Sequence, residues 1–310
     1  MLCGNALVLH DGNPHLWRSP TVDGDTKTHG LIPRDYSIHP VGFYAAIPAF
    51  HAVDMPLIPQ SEWSQRLKDL TEAGARLSDI RRRGMGGKPI PSRDQGQRGY
   101  CWAHSGVSAH LVVRARDGQP YADLSAYAIA CQIKDFADEG GWGAQGVDWQ
   151  IANGVPTSKT WPQQSVNQSN VNAAMKAESA LHKIDEGWID LQAAQCDRKL
   201  SWAQVLTCLL SGHPVVTDFN WWSHSVCGLD PVEGASAFQQ CRNHDSGKRV
   251  SLEEFEDLWD MNDPVTAGLG IKILNSWGDS WSDMGEGILP PQKAVPDGSV
   301  ALRTVTASAV

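Results

Sequence analysis

Basic side chains are scarce in this chain. Acids outnumber bases 35 to 26, the formal charge is -9, and Arg81-Arg82-Arg83 is the one Lys/Arg block in 310 residues. That balance disfavours nucleic acid or an anionic membrane as the main partner. The triplet itself reads as a solvated helix end. No apolar run approaches the roughly 20 residues that a membrane-spanning helix needs. Residues 1–10 lack a basic start and a sustained apolar core, so no secretory signal is expected there. CxxC pairs are also missing, and the cysteines are odd in number: Cys3, Cys101, Cys131, Cys196, Cys208, Cys227 and Cys241. These features predict free thiols, a reducing and so cytoplasmic setting, and no disulfide framework. His104, His110, His182, His213 and His244 show no metal-ligand spacing, so neither a metal nor a cofactor is expected. Internal repeats are absent.

What is present is a 41% hydrophobic, 20% charged chain that should mostly fold. Residues 1–60, rich in Pro, Gly, His and Asp, read as an irregular extension. Trp63, Leu67, Leu70 and Leu77 recur near helical spacing and predict a helix near 61–80, followed by a glycine-rich linker. The extension is therefore drawn as 1–90. From Cys101 to Val113 the pattern predicts a buried helix, apolar along one face. Further helices are expected from about 125 to 136, 145 to 153 (stopped by Gly154), 170 to 183 and 201 to 210. The period then changes to two, predicting strands over 215–221, 225–229, 270–275 and 287–289. Ser251 and Glu254 fit a capping box and predict a helix within an inserted stretch, 231–268. Residues 291–310 carry no clear fold signal. Helices preceding strands indicate an α+β layout.

Cys101 stands where a polar turn meets an apolar helix. A thiol at a helix N-terminus feels the positive end of the dipole, which favours the nucleophilic thiolate. A base and an orienter are available downstream in His224 and Asn275. The Asn275 side chain can accept from one imidazole N–H and aim the other nitrogen at sulfur. Gln95 can donate a side-chain amide to an oxyanion, with the Cys101 backbone N–H as second donor. Taken singly, these residues have structural readings: a buried thiol for Cys101, a satisfied strand histidine for His224, ordinary loop residues for Asn275 and Gln95. A glycine pair such as Gly140-Gly141 is usually a helix C-cap.

Gln95-Gly96-Gln97-Arg98-Gly99-Tyr100-Cys101-Trp102-Ala103 resembles the nucleophile motif of the papain-like cysteine proteases. Asn275-Ser276-Trp277-Gly278-Asp279-Ser280-Trp281 resembles that family's asparagine motif, His224-Ser225-Val226 its histidine motif, and Gly140-Gly141-Trp142 its substrate-holding glycine strip. The resemblance covers about 91–290 with the order Gln, Cys, His, Asn preserved. It implies two lobes, one helical and one an antiparallel sheet or barrel, with the site in the cleft between. It implies hydrolysis of a peptide or protein substrate through Cys101, His224 and Asn275, with Gln95 in the oxyanion hole. Gly140, Gly141, Ser223 and Trp277 would contact substrate, and Trp277 would also shield the His224–Asn275 hydrogen bond. Arg98 replaces a usual disulfide cysteine, Tyr100 replaces a small residue and is expected to crowd the groove, and the 231–268 insertion is expected to cover the cleft or bind a partner protein. These departures resemble divergent bacterial or phage members. They also keep open a catalytically silent scaffold, such as a virion or assembly component, and an amidase or acyl-transferase with the same triad.

Overall fold

The structure, a computed structural model, describes all residues except 19–20, 23–24, 41–42, 44–55, 187–188, 192–196 and 308–310. Cys196 therefore lies outside the described residues. The chain is α+β: a helical layer packs on one large mixed sheet.

The helix Cys101–Arg116 is the axis of the helical layer. Every residue from Cys101 to Arg114 is buried, so the helix is enclosed on all sides rather than along one face as its pattern suggested. Helix Gly143–Asn153, helix Ala126–Ile133, helix Leu77–Arg83 and the sheet surround it. The first of these ends at Gly154, as expected, with φ +75°. A Cβ there would meet the Ser179 carbonyl oxygen at 1.9 Å, so the close approach also requires glycine. Helix Arg198–Leu210 starts earlier than its apolar pattern, because Asp197 caps it by accepting from the Lys199 N–H.

Among the described residues the sheet has nine strands in the order Ile189–Leu191, Gly298–Ala301, Val215–Phe219, His224–Glu233, Leu269–Leu274, Glu286–Leu289, Ala6–Val8, Leu2–Cys3 and Cys241–Arg242. Its end strands do not pair with each other, so it is an open sheet and not a barrel. All pairs are antiparallel except Glu286–Leu289 with Ala6–Val8. His224 pairs with Phe219, and Leu274 with Cys227. His224 therefore opens its strand at the end of the sheet where Leu269–Leu274 finishes, and Asn275 follows directly.

Three segments differ from their sequence reading. Residues 1–9, read as irregular, add two strands to the sheet. They are too short for a period-two pattern to register, and their partners are remote. Residues 298–301, without a clear signal, form a strand inside the sheet. The helix expected near 61–80 is two, Trp63–Glu72 and Leu77–Arg83. The capping box is present: Glu254 N–H donates to Ser251 Oγ, and Ser251 N–H donates back to Glu254 Oε2. That short helix does not lie over the cleft. Phe238, Phe255 and Trp259 of the insertion instead form a satellite core with Met1, Ala6 and Val8. Among the described residues, no helix is long and apolar enough to cross a membrane.

The arginine triplet is solvated only at Arg83, which is exposed. Arg81 is fully buried, with Nη1 3.0 Å from Glu286 and Nη2 donating to the Met284 carbonyl and to Asp279. Arg82 pairs with Glu286 and Asp283. At the helix's other end, the Asp230 carboxylate accepts from the N–H groups of Leu77 and Ser78. The helix is thus clamped at both ends, and its arginines hold the 279–286 turn that follows Asn275.

Candidate active site

Four elements converge. Cys101 heads the central helix, His224 opens a central strand, Asn275 follows the neighbouring strand, and Gln95 lies in the turn before the helix. All four are almost wholly buried. His224 Nε2–H donates to Asn275 Oδ1 at 2.8 Å. The Ser276 N–H also donates to that oxygen, at 2.7 Å, which identifies it as the amide acceptor. The proton of neutral His224 is thereby assigned to Nε2, leaving Nδ1 as the free acceptor. Among the described residues Nδ1 makes no hydrogen bond, and none joins Cys101 to His224. Trp277, fully buried, lies over the imidazole with ring centroids 4.8 Å apart, and Trp222 flanks it at 4.7 Å. Such cover lowers the local dielectric around the His224–Asn275 bond and strengthens it.

Burial sets the electrostatics. It pushes the Cys101 thiol up to about 12, with nearby Asp218 adding to the rise, against lowering by the backbone N–H groups of Ser225, Gly30 and Trp102. It holds His224 well below its usual value, helped by His29 and opposed by the bond to Asn275. In this arrangement the pair is neutral thiol and neutral imidazole.

The reason lies in the fold: a strap, residues 27–32 of the extension, runs through the groove. Lys27, itself buried, pairs with Asp94 at 2.7 Å. The Thr28 carbonyl accepts from Gln95 Nε2 at 3.1 Å. The His29 ring stacks on Trp277, with centroids 5.6 Å apart, and lies 5.3 Å from His224, while its Nε2 is 3.2 Å from the Trp17 carbonyl. The Gly141 N–H donates to the Gly30 carbonyl, the Ile32 N–H to the Gly141 carbonyl, and the Leu31 N–H to the Ser223 carbonyl. The pairing of Leu31 with Gly141 is parallel. Gly141 and Ser223 thus present backbone groups to an extended chain, and that chain is the protein's own, whereas Gly140 takes part in none of these bonds. A Cβ on Gly141 would stand 2.8 Å from the Trp102 ring, and one on Gly140 2.5 Å from the Gly30 oxygen, so this strip tolerates glycine alone.

Gln95 is fully engaged. Its Nε2 also donates to the Arg98 carbonyl at 2.9 Å, and its Oε1 accepts from Ser276 Oγ at 2.6 Å. Tyr100 does not crowd the groove. Its ring packs against Tyr127 inside the helical layer, and its hydroxyl donates to the Ala137 carbonyl at 2.7 Å. Among the described residues His104 has neither nitrogen bonded, and it lies edge-on to Tyr127. Burial takes it down to about 3.

Asp218 was missed by sequence reasoning. It is a buried carboxylate raised to about 6 by desolvation, and it accepts from the Gly143 N–H at 2.9 Å. An acid inside an apolar strand was the available signal. The strap was missed too, because hydrogen bonds through main-chain atoms leave no side-chain pattern. Among the described residues no group of three or more His, Cys, Asp or Glu side chains is placed to hold a metal ion.

No known family model matches the sequence. Solved structures do resemble it. Xylellain, a cysteine protease from Xylella fastidiosa, is 16% identical and aligns over 89% of this chain and 96% of its own, with a TM-score of 0.53. Digestive procathepsin L 3 of Tenebrio molitor larval midgut is 13% identical over 78% of this chain and 90% of its own, with a TM-score of 0.47. At 16% identity the likeness to xylellain speaks to the fold. The chain has the fold of the papain-like cysteine proteases.

Proposed function

We propose that this protein is a cysteine peptidase held latent by its own segment 27–32. One observation carries the reading: Gln95, Cys101, His224 and Asn275, from four separate elements, meet at a groove whose backbone already binds an extended chain. With the strap displaced, water reaches the site, the Cys101 thiol falls and the His224 imidazole rises toward ordinary values. Transfer of the thiol proton to His224 Nδ1 then gives a thiolate–imidazolium pair. The thiolate attacks a peptide carbonyl carbon, and the oxyanion is received by the Gln95 amide and the Cys101 N–H. His224 returns the proton to the leaving amine. It then takes a proton from water, whose attack on the thioester frees the acid and restores the thiol. Asn275 holds the ring in register throughout.

A second reading is favoured by the complete burial of the thiol: a silent scaffold in which the strap is permanent. Peptide hydrolysis by a strap-loosened Gly30→Ala protein separates the two. Cleavage that disappears in Gly30→Ala/Cys101→Ala supports the peptidase. Absence of cleavage, together with no preferential alkylation at Cys101, would sink it.

A further inference from the structure

Cys3 and Cys241 lie directly opposite one another on the antiparallel pair Leu2–Cys3 and Cys241–Arg242. The Gly4 N–H donates to the Gln240 carbonyl, so the flanking pair is the hydrogen-bonded one and Cys3–Cys241 the non-hydrogen-bonded one. In such a pair the Cα atoms approach to about 4.5 Å, which lies inside the range a disulfide spans without backbone movement. Both side chains point into the satellite core. The Cys3 thiol donates to the Ala237 carbonyl. All six described cysteines are free thiols.

We infer that Cys3 and Cys241 are a redox modification site, closing to a disulfide on exchange with a low-molecular-weight disulfide such as oxidised glutathione. Cys3 is the attacking thiol. It lines a surface groove with Lys68, Arg76 and Lys272, alongside Glu72, Asp230 and Glu233, whereas Cys241 is sealed. The neighbouring Cys241 side chain, and secondarily Lys272, favour the Cys3 thiolate despite burial. The Cys3 thiolate attacks one glutathione sulfur and expels the other glutathione as thiolate. Cys241, deprotonated, then attacks the Cys3 sulfur of the mixed disulfide and expels the second glutathione. Two electrons pass from the cysteine sulfurs to glutathione, and the two cysteine protons end on the two released thiols. The bond links the first strand to the insertion and closes a ring containing the strap, Cys101 and His224. It forms whether or not Cys101 is a nucleophile.

The test is oxidation of the reduced full-length protein with oxidised glutathione, alkylation of the remaining thiols, and non-reducing peptide mapping. Trypsin followed by cleavage after Phe238 separates Cys241 from Cys208 and Cys227. The expected result is one cross-linked pair, residue 3 to residue 241, with loss of two hydrogens and an unfolding midpoint that rises relative to reduced protein. A Cys241→Ser protein should instead trap glutathione on Cys3. Recovery of Cys3 and Cys241 both free, a glutathione adduct on wild-type Cys3 that never resolves, or a link to any other cysteine overturns the assignment.

Discussion

Gly30 crosses Gly99 so closely that a Cβ on Gly30 would stand 2.0 Å from the Gly99 carbonyl oxygen. Backbone meets backbone there, and no side chain can yield. Just beyond, the Gly30 N–H faces the Cys101 sulfur. The contact is the tightest point of the strap's passage and the natural place to open it. Replacing Gly30 with alanine is expected to dislodge the strap and raise the rate of Cys101 alkylation by iodoacetamide roughly tenfold or more, the effect of a clash costing ~1.4 kcal/mol or above. Mass spectrometry of the labelled site reads this directly. A Cys101 rate equal to wild type would mean that the strap does not guard the thiol.

Strap docking should weaken in acid. His29 is held below its usual value by burial, against its hydrogen bond to the Trp17 carbonyl, and His224 is lowered further by burial and by His29 itself. Both bind fewer protons with the strap in place than when it is free. By linkage, docking is fully stable above the free histidine pKa of about 6.5 and is lost as pH falls from there toward the lowered values. The ratio of Cys101 reactivity in Gly30→Ala to that in wild type should therefore shrink between pH 7.5 and pH 5.5 (about one unit either side of the free value). His29→Phe, which keeps a ring against Trp277, should reduce this pH dependence. A ratio independent of pH would contradict the mechanism.

Asn275→Ala removes the acceptor of His224 Nε2–H and frees the ring to turn. On the peptidase reading, kcat/KM of the strap-loosened protein should drop about a hundredfold, within the span that general acid–base catalysis contributes. KM should change little, because Asn275 faces the imidazole and not the groove backbone. Steady-state kinetics on a peptide substrate checks this, and an unchanged kcat would remove Asn275 from the site.

Arg81→Ala leaves Glu286 buried beside a vacant partner, with Arg82 and a more distant Lys272 as its remaining cations. Breaking a buried ion pair from one side costs about 3–5 kcal/mol. Denaturant unfolding should report a loss of that order. If the loss is below about 1 kcal/mol, comparable to a surface pair, Arg82 has taken over and the clamp is redundant.

The linear chain carried the candidate residues: Gln95 six residues before Cys101, a polar turn meeting an apolar helix, and His224 and Asn275 each beside a strand pattern. These were legible because they depend on local order, on helix starts, caps and strand ends whose residue preferences are written within a few positions. The capping box at Ser251 and the stop at Gly154 were readable for the same reason. Arg81 was not, since a helix-end arginine looks alike whether water or Glu286, 205 residues away, receives it. Nor was the pairing of Cys3 with Cys241, which depends on the register of two two-residue strands. The strap belongs to this second class. Its hold on Gly141 and Ser223 runs through main-chain atoms, common to every residue, and its one demand on composition, glycine at position 30, acquires meaning only when Gly99 is brought against it. Residue types and their order thus specified which groups are the candidates, while tertiary packing decided that they are buried, neutral and covered.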